Sequence, residues 1–348
     1  MTLAPEDNMT PQLPSHPRGR IFMICRALQP LRHGGTTVGN VQMFRRRKIQ
    51  DDTGRLHEVP YLSANSVKHW LRDASIRYAL EATGLADGGL THEEVHLFFA
   101  GGTLSKSGQS VKLAEARIAG ELLPTLNLCG YACGNSMTEA AVQVDDLELV
   151  CAENAYKLVH IIEKYRPKLL PLFKQRGLSA LQSEERTSVE PTNRRDIMDM
   201  LKPDVRDALV ASTTAKAGAE HSDKGVSKQM IYSYEVARAG AFWVGGFSFP
   251  RGLNPREWAA FRSAFYYASE GVGPMGGLLV RFGGGTSQGH GLMEVELVGQ
   301  LAQGIQPRQY FHTQEMVDQE RVPADMAAYA QTLSDRAGEL RVALKAMM

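Results

Sequence analysis

The stretch RFGGGTSQGHG, Arg281 to Gly291, carries five glycines between two apolar runs, GGLLV before it and LMEVELV after it. Glycine weakens a strand, so bare backbone concentrated here marks a tight turn or a place where something approaches the main chain closely. The stretch is neither G-x-x-x-x-G-K-[ST] nor G-x-G-x-x-G. It lacks the lysine that would reach nucleotide phosphates, and it joins two strands instead of opening a helix. That sets a nucleotidase loop aside. Exposed N–H groups can still cradle the phosphates of a polynucleotide, with Thr286, Ser287, Gln288 and His290 adding neutral donors. The alternative is a plain β-turn, for which five glycines are more than enough.

A second polar cluster lies far upstream in PYLSANSVKHWLR. Val67, Trp70, Leu71, Ala74 and Tyr78 recur on one face of a helix that Gly84 stops, and Ser63 or Asn65 is its N-cap. Ser63, Asn65, Ser66 and Lys68 gather at the start of that helix, where unpaired N–H groups and the dipole favour an anion. Lys68 and Arg72 are one turn apart and avoid the apolar face. Ordinary capping beside a solvated basic edge explains this cluster on its own. Taken with the glycine stretch, it points to a phosphate chain.

The rest of the pattern is mixed. GRIFMICRAL (19–28) alternates as a first strand, and a loop rich in Gly, Thr and Arg runs from it to Pro60, holding the one dense basic run, Arg45 to Lys48. Short helices and Gly-rich loops fill 85–136. AAVQVDDLELV is a strand, and Asn154 to Phe173 is helical between prolines. YSYEVARAGAFWVGGFSF shows two β-type runs meeting at an Ala-Gly turn, a hairpin signal. NPREWAAFRSAFYYASEG is a helix with Asn254 as cap, Pro255 at its first position and Glu257 closing a capping box. A last helix begins near Ala324, its seam of Met326, Leu333 and Leu340 packing on the body or on a partner. The order predicts an α+β chain with a ferredoxin-like or RNA-recognition-type core and large insertions.

Other chemistries find less support. HEEVH, His92 to His96, matches the zinc-protease pattern H-E-x-x-H, but glycines lie just upstream and no third ligand follows at a familiar spacing. Thr91 and Glu94 make it the start of a short capped helix. CGYACG has two thiols and no second pair, and no serine sits in a G-x-S-x-G elbow. No metal and no cofactor is expected. Four cysteines at irregular spacing fit reduced thiols in the cytoplasm. The mean hydropathy of -0.25 and the lack of a long apolar run exclude a membrane span, and residues 1–18 read as a disordered lead instead of a signal peptide. The net charge of +1 leaves nucleic-acid binding open, provided the cations share one surface.

At this point the sequence resembles a family. PYLSANSVKHWLR looks like the P-Y-I-P-G-S-S-L-K-G-x-L-R segment of the RAMP superfamily of CRISPR-associated proteins, and GGGTSQGHG looks like its C-terminal glycine-rich loop. LNLCGYACGNSMTEAAVQVDDLEL resembles the family's L-F-G…L-x-V-x-D stretch. TSVEPTNRRDI and the YSYEV segment resemble landmarks of the Cas-seven backbone branch. The four occur in family order from about residue 20 to 295. The polar inserts look most like the type IV version.

The resemblance implies a modified RNA-recognition-motif (ferredoxin-like) palm with inserted helical finger and thumb segments. The palm would comprise 19–84, 137–186 and 231–307, the finger 85–136, the thumb 187–230, and a C-terminal helix 308–348. Copies of such a subunit form a helical filament along a CRISPR guide RNA, with other effector subunits, and present the guide to a target nucleic acid, DNA ahead of RNA, a choice the sequence leaves open. By position, Ser63, Asn65, Ser66, Lys68 and Arg72 would contact RNA, as would Gly284, Gly285, Thr286, Ser287 and Gln288. His33, Gly34, Gly35, Arg45, Arg46 and Arg47 belong to the RNA-facing loop after the first strand, and Arg194 and Arg195 to the thumb. Ala64 and His69 stand where the family has glycine, which makes the helix entry bulkier. Cleaving relatives carry an aspartate in the loop after strand one. Arg32 to Gln50 contains no carboxylate, so the expectation is a non-cleaving subunit. The rivals are a target-RNA-cleaving relative using Asp51 or Asp52, a monomeric RNA-binding protein, and the zinc protease.

Overall fold

Strand β1 (Arg18–Ala27) is apolar on both sides, which places it at the centre of the molecule. Ile21, Met23 and Cys25 are buried in the main core, while Phe22 and Ile24 belong to a second apolar cluster. The computed structural model describes residues 18–51, 53–102, 113–133, 136–188, 202–204, 207, 230–303, 306–311 and 324–347. After β1 come β2 (Gly34–Val38), β3 (Val41–Phe44), β4 (Arg46–Gln50), β5 (Leu56–Leu62) and α1 (Ala64–Thr83). Next are α2 (His92–Val95), α3 (Leu113–Leu122), α4 (Pro124–Cys129), β6 (Ala132–Cys133), β7 (Ser136–Met137), β8 (Gln143–Val144), β9 (Leu147–Leu149) and α5 (Ala155–Tyr165). Then follow β10 (Leu181–Ser188), β11 (Met230–Ala237), β12 (Phe242–Phe249), α6 (Pro255–Ala268), β13 (Leu278–Arg281), β14 (Leu292–Gln303), β15 (Gln306–Phe311), α7 (Ala324–Asp335) and α8 (Ala337–Met347).

The main sheet runs β13-β14-β1-β12-β9-β5-β4, with β15 on β14 and β8 on β12. Its ladders are antiparallel, and β1 is fully paired on both edges, Ile24 opposite Val244 on one side and Glu296 on the other. Helices α1 and α6 cover one face. Trp70 meets Phe265 edge-on at 5.1 Å, and Phe247 lies 5.1 Å from Phe261. Helix α5 covers the other face, its Leu158, Ile161 and Ile162 packing with Ile24, Val244 and Val298. A smaller sheet, β10-β11-β3-β2, stands beside the first. Its β11–β3 pair is parallel; helices beside a main antiparallel sheet make this the expected α+β class.

Local chemistry explains the helix ends. Ser63 is the N-cap of α1, and Gly84 ends it in the left-handed conformation at φ 63°. Asn254 and Glu257 close their capping box, as do Thr91 and Glu94. The C-terminal seam packs on the body, where Tyr78 stacks on Tyr329 at 6.1 Å and donates to the carbonyl of Met326 at 3.1 Å.

Three expectations differ. The expected loop from 32 to 60 contains β2 to β5, so the basic run lies on a strand paired with β5. The expected hairpin of β11 and β12 does not form: β11 pairs with β10 and β3, while β12 pairs with β1, β8 and β9. The end of β1 takes the turn between them, with the Gly240 N–H on the Ala27 carbonyl and the Ala27 N–H on the Ala241 carbonyl. The last helix is two, broken at Arg336. Residues 1–17, Asp52, Arg194, Arg195 and most of the expected thumb lie outside the described residues. Among the described residues no helix is long and apolar enough to cross a membrane.

Candidate nucleic-acid interface

The glycine stretch joins β13 to β14, which pair antiparallel. Gly283 has φ 82°, and a Cβ there would collide with the carbonyl of Arg32. That close approach is why a side chain is missing. The Gly284 N–H donates to the Arg32 carbonyl and the Gly291 N–H to the Pro30 carbonyl, each at 2.9 Å. The tip is a single turn, Thr286–Gln288, between two left-handed glycines, Gly285 and Gly289. Thr286, Ser287 and Gln288 are exposed, and the N–H groups of Gly285, Thr286 and Ser287 make no bond within the described protein. Such outward N–H groups suit an anion.

His290 was expected among the loop's neutral donors, and the structure corrects this. It is buried beneath the loop, Nε2 2.9 Å from Glu184 of β10, its ring edge-on to Tyr234 at 6.0 Å. Tyr234 carries the Arg32 guanidinium at 4.2 Å. The loop is therefore propped from below by the small sheet.

The start of α1 is held to the same segment. His33, next to Arg32, is buried and accepts the Ser63 N–H on Nε2 at 3.2 Å. Burial pushes its pKa down to about 4, the charge of Arg45 adding to this and Asp146 opposing it. At neutral pH the imidazole is an uncharged acceptor. Trp70 of α1 packs at 4.7 Å on Phe282, the residue before the glycines. Residues 32 and 33 thus hold the glycine loop on one hand and the helix start on the other. Asn65 and Ser66 are exposed at that start, and Ser66 Oγ lies 2.9 Å from Ser63 Oγ. The first N–H of the helix, that of Ala64, is already bound by Asp146 at 2.6 Å.

The cations divide into two groups. Arg45 is exposed, its N–H on the His33 carbonyl at 2.8 Å, beside the half-exposed Gly34 and Gly35. Lys68 is half-buried and makes no hydrogen bond or ion pair with a described residue. Its pKa is lowered by burial, and the charge of Arg72 works in the same direction. Arg46 instead binds Glu235 at 2.5 Å, and Arg47 pairs with Asp146, at 2.7 Å, and with Glu148 while lying 5.0 Å from the Tyr61 ring. Arg72 donates to the carbonyls of Cys129 and Gly130 at 3.1 and 2.7 Å. Sequence reasoning thus missed Asp146, Glu235 and Glu184, which neutralise or position these residues. The only signal for the first was the acidic VDDLEL run.

Asp51 organises the β4–β5 turn. Its carboxylate accepts from the Thr53 N–H, the Thr53 hydroxyl and the Arg55 N–H and pairs with His57 at 2.7 Å. These bonds hold its pKa far below the usual carboxylate range. His92 and His96 face each other at 4.4 Å, and among the described residues no three metal-ligating side chains come together.

Residues 33–104 match the family model described as the CRISPR-associated negative auto-regulator DevR/Csa2. The matched segment starts at His33 and contains all of α1. The sequence's resemblance to CRISPR-associated proteins is thus met on an independent family model over that segment. Among solved structures, a chain of a "Type IV-B CRISPR Complex" is similar at 16% identity and a TM-score of 0.48, covering 83% of this chain and 93% of that one. No curated protein matches.

Proposed function

We propose that this chain is a CRISPR-associated backbone subunit of the Cas-seven kind, most like the type IV version. It binds a guide RNA along its sugar-phosphate chain and assembles with further copies and other effector subunits. It leaves most of the guide's bases free to pair with a target nucleic acid that it does not cleave. The observation that carries the reading is the juncture at residues 32 and 33, which ties the open N–H groups of the glycine loop to the lysine-bearing start of α1. The match over 33–104 supports it from the sequence side. The strand order β14-β1-β12-β9, with α1 and α6 on one face, supports an RNA-recognition-type palm, and 85–136 and 187–230 are then its finger and thumb. In this palm α5 covers the second sheet face, so RNA is taken at the rim, on Arg45, Lys68, Asn65, Ser66 and the loop 284–288, and not by stacking on the strands. The involvement of Asp51 in its turn supports the non-cleaving reading.

Affinity built from phosphate contacts weakens steeply with salt and depends little on sequence. The test is co-expression with a guide, sizing of the particle, and titration of RNA at several salt concentrations. RNA of uniform length in a large particle, released by salt, is expected. A monomer that binds no RNA at low salt overturns the proposal.

A further inference from the structure

We propose that the cleft between α1 and the turn following α2 seats one nucleobase, with its phosphate on Lys68. This rests on the RNA-binding reading and deepens it, since that reading assigns the backbone and leaves the bases unplaced. The cleft has a volume of about 560 Å³, within the usual span of small-molecule sites. Asn65, Lys68, His69 and Arg72 line it from the helix, and His96 and Phe99 from the opposite wall.

The chemistry of the lining selects the occupant. Among the described residues two cations line the cleft and no carboxylate does. The Lys68 ammonium is half-buried with no hydrogen-bond or ion-pair partner among the described residues, and Arg72 is fixed in place by two backbone carbonyls. An anion at the mouth restores what burial costs the lysine. The opposite wall is aromatic. Phe99 is half-exposed, with the Arg77 guanidinium 5.5 Å from its ring centre, and His96 is next to it in the cleft. Aromatic rings beside a cation are what a flat, phosphate-bearing heterocycle stacks on. Asn65, exposed at the rim, offers both a donor and an acceptor to a base edge. A metal fits less well, because the histidine pair at 4.4 Å has no third ligand among the described residues. Ser66 is exposed two residues before Lys68 on the same helix.

The occupant is a base of the bound RNA or a free mononucleotide, which share this chemistry. The test compares a short oligoadenylate with a chain of the same length lacking bases, by fluorescence anisotropy at low salt, in the full protein and in Phe99→Leu and His96→Ala variants. Stacking of one base gives about a tenfold preference for the base-bearing chain. The proposal expects that ratio in the native protein and its fall toward one in both variants. Adenosine monophosphate that saturates the native protein and not the variants, with no such ratio between the chains, also supports the seat and assigns it to free nucleotide. An equal ratio in all three proteins, with adenosine monophosphate binding unchanged, overturns the seat and leaves the backbone reading standing. Binding of neither chain by the native protein overturns both. If Phe99→Leu fails to fold, His96→Ala decides the question.

Discussion

The N–H of Gly284 donates to the carbonyl of Arg32 at 2.9 Å, and the next residue, His33, accepts the N–H of Ser63 at 3.2 Å. Two adjacent residues therefore fix the relation between stretches more than two hundred positions apart in the chain. Neither contact uses a charge. The juncture is built from backbone and one neutral ring, which leaves the cations of the rim free to meet an anion.

That closeness makes Gly283 and Gly284 unequal. Gly283 is left-handed and has no room for a Cβ against Arg32, whereas Gly284 has no positive φ and open space where its Cβ would stand. Gly283→Ala is expected to destabilise the fold by about 2 kcal/mol or more, strain and collision acting together. Gly284→Ala should change stability by about 0.5 kcal/mol or less. Denaturant titration of the two variants checks the contrast, and equal effects would contradict the packing described.

Neighbouring arginines are expected to behave in opposite ways. Glu235→Ala leaves Arg46, which is 20% exposed, with only the longer 3.7 Å contact to Glu58 and removes the acceptor of the Phe44 N–H, so it should cost about 2–3 kcal/mol of stability. Arg45→Ala should leave the melting temperature within a degree or so of native, in the range of an ordinary surface change. It should instead lower RNA affinity and reduce the slope of log K against log salt by about one phosphate contact. Paired melting and salt titrations separate the roles.

The basic run shows what a linear reading reaches and where it stops. Ser63, Gly84 and Asn254 were legible because a cap is settled by residues three or four apart. Arg46 and Arg47 were not, since a strand sends consecutive side chains to opposite sides and their partners, Glu235 and Asp146, lie 189 and 99 positions on. The Ala-Gly turn after β11 announced a reversal correctly. It carried no information on which sheet edges were vacant, and β1 decided that by taking β12 for itself. His290 reads as a donor of the loop in the sequence, but its burial against Glu184 depends on β10, which the polar pattern of that segment conceals.

Asp51 is the one described carboxylate that a cleaving subunit would draw on, and its bonds to Thr53, Arg55 and His57 already give it a local task. Asp51→Asn should loosen the β4–β5 turn and lower the melting temperature. Complementary RNA incubated with the guide-loaded complex and a divalent metal should stay intact with either protein. Cleavage by the native complex that disappears in Asp51→Asn would reinstate the nuclease.

The uncharged state of His33 sets a pH limit on the juncture. Its pKa falls from 6.5 in the unfolded chain to about 4 in the fold, because burial disfavours the imidazolium. Between those values the unfolded chain holds more protons than the folded one, so stability rises with pH across that window. The contribution is complete above about pH 6.5, is lost progressively on acidification, and is flat below about pH 4. Protonated Nε2 can no longer accept the Ser63 N–H, so in the folded protein the helix start is released, and RNA retention should fail, as the pH falls to about 4, where the buried imidazole takes its proton. In His33→Gln the amide oxygen can take that N–H without titrating. Thermal melting from pH 7 to pH 4 should therefore show a shallower decline in His33→Gln than in the native protein. Parallel declines would remove His33 as the source of the acid sensitivity.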